Sequence, residues 1–135
     1  MKEATRFYTA FSGIFLLLQG TSTLAFRLFP ALDEKFPALL SITQMIPAHS
    51  TLHILTGILA IGALLRGGPR GTFYFAAGFG IFYTGLAVFG IVTHEPTFLG
   101  LQPFDHPFHL ILGLWGLFAA GLSAYRSQSR KAALL

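Results

Sequence analysis

The chain contains no cysteine, and it is poor in charge. Without cysteine there are no disulfides, no thiolate nucleophile and no iron–sulfur or cysteine-based zinc site. Charged residues make up 10% of the 135 residues, whereas a soluble domain typically carries about 25%. So few polar groups cannot cover a water-soluble globule, and we therefore expect part of the surface to face lipid.

The sequence is rich in long apolar runs. Hydrophobic residues account for 53% of the sequence, and four runs are long enough to cross about 30 Å of hydrocarbon. Because backbone polar groups find no water there, each run predicts a helix. The predicted helices cover residues 7–29, 47–65, 72–94 and 106–126. The predicted fold class is all-α, a single domain over residues 1–135 that forms an integral membrane four-helix bundle.

The basic residues indicate an orientation. They concentrate near both termini and between the second and third runs, at Lys2, Arg6, Arg66, Arg70, Arg126, Arg130 and Lys131. By the positive-inside rule, both termini are predicted to be cytoplasmic. We interpret the net charge of +4 as a topology signal, and we expect no nucleic-acid partner.

The first loop, residues 27–46, is long and partly apolar. Leu32, Phe36, Leu39 and Leu40 recur at helical spacing with charged residues between them. This pattern is typical of an amphipathic segment that lies on a membrane surface. We expect such a segment on the outer interface.

Two stretches, "HILTG" at His53–Gly57 and "HLILG" at His109–Gly113, suggest an internal pseudo-repeat of two helices. Their offset is 56 residues, and "GIF" at Gly13 and at Gly80 suggests a second offset of 67. Small residues let helices approach closely in lipid. We therefore assign a helix-packing role to Gly13, Gly57, Gly80, Gly113 and Gly116.

All five histidines fall at the predicted outer ends of the helices. His49 and His53 are four residues apart and His106 and His109 three apart, so each pair shares a helix face. One interpretation is that they only hydrogen-bond nearby helix ends. A second is that His53 and His109, with or without His49 and His106, bind a divalent metal, with Glu95 or Asp105 as a carboxylate ligand.

In a third interpretation, these histidines bind a tetrapyrrole, either a haem or a chlorophyll-type pigment. Two facing histidines can hold a haem axially, and nearby glycines leave room for a flat macrocycle.

Asp105 precedes the fourth helix and is assigned as its helix cap. The fragment "HEP" at residues 94–96 lacks the second histidine of a zinc-protease motif, and we expect no catalytic residues.

These residues resemble an uncharacterised bacterial family of small four-helix membrane proteins, a domain of unknown function. Its second and fourth helices open with a motif similar to Asn-x-x-His-x-x-x-Gly, matched here by His53 with Gly57 and His109 with Gly113. The family asparagines correspond to Ser50 and His106. The resemblance implies a four-helix fold in the bacterial inner membrane, or in a photosynthetic one, and implies no activity.

Three functions are consistent with these features. The leading hypothesis is a non-enzymatic accessory or structural subunit of a larger membrane complex, such as a respiratory or photosynthetic one, that packs against other subunits or further copies of itself. The first alternative is a protein that binds haem, chlorophyll or a metal through the outer-face histidines. The second is a small transporter component, although no charged residue lies at the bilayer midplane.

Overall fold

The computed structural model describes residues 3–94, 97 and 99–133, with the side chains of Arg130 and Lys131 excepted. Six helices form within these residues, and no strand is found among them. They are α1 Glu3–Leu28, α2 Pro30–Lys35, α3 Ala38–Thr43, α4 Pro47–Leu65, α5 Gly68–Thr93 and α6 Asp105–Ala132.

Four of these helices, α1, α4, α5 and α6, are long and apolar enough to cross a membrane. At 1.5 Å per residue, the 19 residues of α4 alone extend over roughly 28 Å. The helical bundle with four candidate spans that we predicted is therefore present. The outward faces are apolar, with Leu59 66% and Ile111 66% exposed, as a lipid environment requires.

The helix ends differ from the predicted ranges where polar sequence continues a helix. α4 spans the predicted range, whereas α5 begins at Gly68 instead of residue 72, because proline in the first turn is compatible with helix geometry. α6 continues beyond residue 126 to Ala132, since a helix can extend past the hydrocarbon into water. Hydropathy detects the apolar part of a helix and misses its polar extensions.

The bundle consists of two closely packed helix pairs, α1 with α4 and α5 with α6. In the first pair, a Cβ atom on Gly13 would come within 2.9 Å of Ala60 Cβ, and one on Gly57 within 3.0 Å of Gly13 O. In the second pair, a Cβ on Gly113 would meet Gly80 O at 3.1 Å. These glycines therefore lie where helix backbones touch.

The glycine contacts of the two pairs occupy positions that the proposed repeat aligns. Gly13 and Gly80 are separated by 67 residues, and Gly57 and Gly113 by 56. The backbone nitrogens of Leu17 and Thr84, also 67 apart, lie against Gly57 and Gly113 respectively. The common origin of the two pairs stays a prediction.

The end of the bundle at which α4 and α6 begin is called here the histidine end. The predicted amphipathic segment lies there and forms two short helices, α2 and α3. It is anchored by Arg27, whose Nε donates to the Met45 carbonyl at 3.0 Å, and Met45 itself is fully buried. Phe29 and Phe36 remain exposed.

The opposite end is held by threonine hydroxyls between α1 and α5. Thr5 Oγ1 and Thr72 Oγ1 lie 3.3 Å apart, and Thr9 Oγ1 donates to the Thr72 carbonyl at 3.4 Å. All three residues are buried. These three buried hydroxyl groups are therefore paired, as helix association in lipid favours.

An aromatic core joins the two helix pairs in the middle of the bundle. Tyr8 is fully buried and donates its hydroxyl to the Leu112 carbonyl at 2.9 Å. A Cβ on Gly116 would lie 2.7 Å from that hydroxyl, so the glycine makes room for it. Trp115 packs edge-on against Tyr8 with ring centroids 5.2 Å apart, which accounts for a tryptophan at mid-membrane depth.

Candidate metal centre

Three histidines from two helices meet in the bundle interior at the histidine end. His49 and His53 lie one turn apart on α4, and His109 lies in the second turn of α6. Each is at most 2% exposed. One nitrogen from each ring can be chosen so that all three atoms lie within 4.8 Å of one another.

The three imidazole rings stand edge to face. Their centroids are 4.5 Å apart for His49 and His53, 5.8 Å for His49 and His109, and 6.4 Å for His53 and His109. The two helices run the same way from the histidine end. The sequence spacing placed His53 and His109 near each other, and the third ring, His49, lies beside both.

Most of these ring nitrogens have no hydrogen-bond partner in the described part of the chain. The unpartnered atoms are His49 Nδ1, His109 Nδ1 and both nitrogens of His53. A neutral imidazole has one donor and one acceptor nitrogen. Leaving such a group buried and unpaired costs about 1–3 kcal/mol, so His53 in particular calls for a ligand.

Neighbouring residues fix the position of α4 without bonding the histidines. Ser50 forms a hydroxyl–hydroxyl bond of 2.8 Å with Thr23 on α1. A Cβ on Gly20 would meet Ser50 O at 2.6 Å and His53 Cβ at 3.0 Å. Gly20 thus allows α1 to close over His53.

Tyr83 of α5 forms one wall of the cluster. Its ring centroid lies 4.5 Å from that of His109 and 6.4 Å from that of His53, and only 1% of the residue is exposed. Tyr83 was not among the site residues predicted from the sequence. A polar tyrosine inside an apolar helix marks it in the sequence, but that pattern alone does not place it beside the histidines.

Asp105 lies in the first turn of α6 and is 4% exposed. Its Oδ2 accepts a hydrogen bond of 2.8 Å from the Gln102 backbone N–H. The carboxylate therefore closes the turn before α6, and its assignment as the helix cap stays a prediction. Asp105 also interacts electrostatically with His49 and His106.

Two other predicted histidines lie apart from the cluster. His106 is half-buried, and its imidazole lies so close to Gly90 on α5 that a side chain there would overlap it. His94 is exposed at the end of α5, with a left-handed φ of 57°. Glu95, the predicted carboxylate ligand, lies outside the described residues.

The cluster has the chemistry of a transition-metal site. Zinc–imidazole bonds are about 2.0–2.1 Å long, and tetrahedral geometry then places ligand nitrogens about 3.4 Å apart. The present spread of up to 4.8 Å requires the widest pair to approach by about 1.4 Å. Binding of an ion would therefore require the imidazole side chains to rotate towards one another.

The fold and the buried cluster define the class of the protein: a multi-pass, all-α membrane protein with a lipid bilayer as its environment. The chain belongs to the family described as a domain of unknown function, DUF4383, whose profile matches residues 6–125. No curated protein and no solved structure matches it. The resemblance noted from the sequence is therefore confirmed at the level of the family, and the bacterial origin and the histidine motif stay predictions.

Proposed function

We propose that this protein is a membrane-embedded metal-binding protein whose centre is formed by His49, His53 and His109. The observation that carries the proposal is the set of unpartnered nitrogens in the buried cluster, above all both nitrogens of His53. Coordination by a metal ion supplies a partner for one nitrogen of each ring. It also offsets the cost of burying polar groups among apolar helices.

The arrangement favours a metal ion over a macrocycle. A haem held by His53 and His109 would need a flat slot between their rings. His49 stands 4.5 Å from one ring and 5.8 Å from the other, where the edge of such a slot would have to pass. A single ion requires no slot, and it uses the third histidine as a ligand.

The ligand type narrows the choice of ion. Neutral imidazole suits zinc, copper, nickel and iron, whereas magnesium and calcium prefer oxygen ligands. Three imidazoles also occur together in zinc centres. We therefore propose a divalent transition-metal ion and take Zn²⁺ and Co²⁺ as probes.

The test is metal binding by detergent-purified protein. We expect one equivalent of Co²⁺ to bind with the visible spectrum of a tetrahedral or five-coordinate site, and Zn²⁺ to displace it. His53→Gln and His109→Gln should weaken binding at least 100-fold. The matched control is His94→Gln, which alters an exposed histidine at the same end of the bundle and should bind as the wild type does.

Two results would contradict the metal proposal. One is the absence of stoichiometric binding by the wild-type protein. The other is equal binding by the wild type and His53→Gln. A Soret band in protein purified from its natural source would support the tetrapyrrole alternative instead.

The accessory-subunit hypothesis rests on small size and apolar outer faces. A bilayer alone accounts for those faces, so no observed contact favours a protein partner over lipid. Association with larger complexes, or with further copies of the chain, therefore stays a prediction. Pull-down of a defined membrane complex by the tagged protein would support it.

We further propose a bacterial inner or photosynthetic membrane as the location, with both termini in the cytoplasm. The positive-inside rule supports this orientation, since Arg66 and Arg70 are exposed at the opposite end from the histidines. Because the sequence has no cysteine, this orientation can be tested by maleimide labelling of a single introduced cysteine. Lys35→Cys should react with an impermeant maleimide in intact cells, and Gln128→Cys should react only after lysis.

A further inference from the structure

Three helices surround a small space at the end of the bundle opposite the histidines. This space, called here the head space, has a volume of about 150 Å³ and lies between α1, the last turn of α4 and the first turns of α5. Its lining residues are Arg6, Leu64, Gly68, Pro69 and Thr72. Arg6 is exposed, so a molecule outside the bundle can reach its side chain.

An open groove adjoins the head space and shares Arg6 and Leu64 with it. This groove, called here the chain groove, has a volume of about 410 Å³ and follows one face of α1 past Phe7 and Ala10. Phe7 is 64% exposed and begins the first apolar run, so the groove faces hydrocarbon. Long basic side chains at helix ends extend to the headgroups. Arg6 therefore lies at the level where hydrocarbon meets the phosphates of the bilayer.

The charge at this end of the bundle favours an anionic ligand. Arg6, Arg66, Arg70 and Arg126 are all exposed here, whereas Glu3 is the one acidic residue that lines either space. In the part of the chain that the structure describes, Arg6 has no ion-pair partner. Guanidinium groups bind phosphate oxygens through paired N–H donors. A phosphate at Arg6 is therefore favoured, and the excess of arginines selects a headgroup with a net negative charge.

We propose that the head space and the chain groove together bind one anionic phospholipid of the surrounding bilayer. Its phosphate accepts hydrogen bonds from the Arg6 guanidinium at the head space. One of its acyl chains lies in the chain groove, against Phe7, Ala10 and Leu64. Phosphatidylglycerol has this chemistry, because it carries the phosphate charge without an ammonium group. This inference does not depend on a metal at the histidine cluster, which lies at the other end of the bundle.

The test is native mass spectrometry of the protein in a non-ionic detergent, titrated with phosphatidylglycerol or with phosphatidylcholine that has the same acyl chains. The two lipids share the phosphate and the chains, and they differ in the net charge of the headgroup. We expect the first phosphatidylglycerol to bind the wild-type protein about fivefold more tightly than the first phosphatidylcholine, which is the contribution of one basic residue to the binding of anionic lipid.

Two arginine variants locate the site. Arg6→Gln removes the charge from an exposed side chain, so the protein should fold, and the preference for phosphatidylglycerol should fall to about one. Arg126→Gln is the matched control, because Arg126 is exposed at the same end but lines neither space. It should keep the fivefold preference. A phosphatidylglycerol with a diazirine in its acyl chain should crosslink to the residues of the chain groove.

Three results would overturn the proposal. The first is equal affinity of the wild-type protein for the two lipids, and the second is the same preference in Arg6→Gln and Arg126→Gln. The third is binding of phosphatidylethanolamine as tightly as phosphatidylglycerol. In that case the ammonium group would be paired with Glu3, and the site would select a zwitterionic lipid.

Discussion

The buried threonines at one end of the bundle and the buried histidines at the other differ in whether their polar atoms are paired. At the opposite end, the hydroxyls of Thr5 and Thr72 are paired with each other, and that of Thr9 with the Thr72 carbonyl. At the histidine end, His53 is equally buried and has neither nitrogen paired. The paired groups account for helix packing, and the unpaired nitrogens of His53 are the observation on which the proposed metal site rests.

Hydroxyl and imidazole side chains differ in how readily they find hydrogen-bond partners inside a membrane protein. Hydroxyls can bond to the backbone of their own or a neighbouring helix, so threonine is readily satisfied in lipid. An imidazole is larger, and its two nitrogens point in different directions, so satisfying both needs two partners. The contrast between Thr9 and His53 can be tested by substitution.

Metal binding should give the largest effect. Free Zn²⁺ at 100 times its dissociation constant should raise the free energy of unfolding of the wild-type protein by about 2.7 kcal/mol. His53→Gln should lose this stabilisation, and His94→Gln should keep it. The measurement is the free energy of unfolding of each protein in mixed detergent micelles, with and without Zn²⁺. If Zn²⁺ stabilised the wild type, His53→Gln and His94→Gln equally, His53 would not be a metal ligand.

The glycine contacts should give the next largest effect, because they hold the helices of both ends together. A Cβ on Gly113 would lie 2.6 Å from the Thr84 backbone nitrogen, so Gly113→Ala should cost about 1–3 kcal/mol of unfolding free energy. Gly121→Ala is the matched control on the same helix, since no atom lies within 4 Å of its added Cβ. Equal stability of the two variants in mixed micelles would contradict this assignment.

A smaller effect is expected at the opposite end. Thr9→Val removes the bond to the Thr72 carbonyl and should cost about 0.6 kcal/mol, the average for hydrogen bonds between helices in lipid. Thr21→Val is the control, since exposed Thr21 bonds only within its own helix, to the Leu17 and Leu18 carbonyls. Unfolding curves that overlap for these two variants would show that the threonine pairing contributes nothing between helices.

The smallest effect is predicted where the polar group is unpaired. In the metal-free protein, His53→Leu should leave the free energy of unfolding within about 0.5 kcal/mol of the wild-type value or raise it, since no hydrogen bond is lost. Thermal or detergent unfolding in the presence of a chelator is the measurement. A loss above about 2 kcal/mol would mean that the imidazole already has a partner within the protein.

The sequence predicted the helices well because lipid imposes a simple rule. Long apolar runs must be helical, so the range 47–65 coincides with α4, and the glycines of "HILTG" and "HLILG" lie at close helix contacts. Helix ends were less accurate, since the polar residues after Tyr125 extend α6 beyond the apolar part. The first loop forms two short helices because Phe36 and Pro37 interrupt it.

The candidate site was only partly predictable. Spacing places His106 and His109 on one helix face, but it does not say which of them points inward. The His106 imidazole lies against Gly90 on α5, because glycine has no side chain to occupy that space. His109 instead forms part of the histidine cluster. Tyr83 was missed because its role depends on the angle between α5 and α6, which no local pattern encodes.

The position of α3 has a consequence for the lipid beside the bundle. Leu39 and Thr43 of α3 lie at one side of a space between α1 and α6, and the exposed Phe104 borders the same space. Because this space opens sideways, a lipid chain that entered it would come from the surrounding leaflet and not from water. Its occupancy would then follow the composition of that leaflet, and dilution of the vesicles with buffer would leave it unchanged.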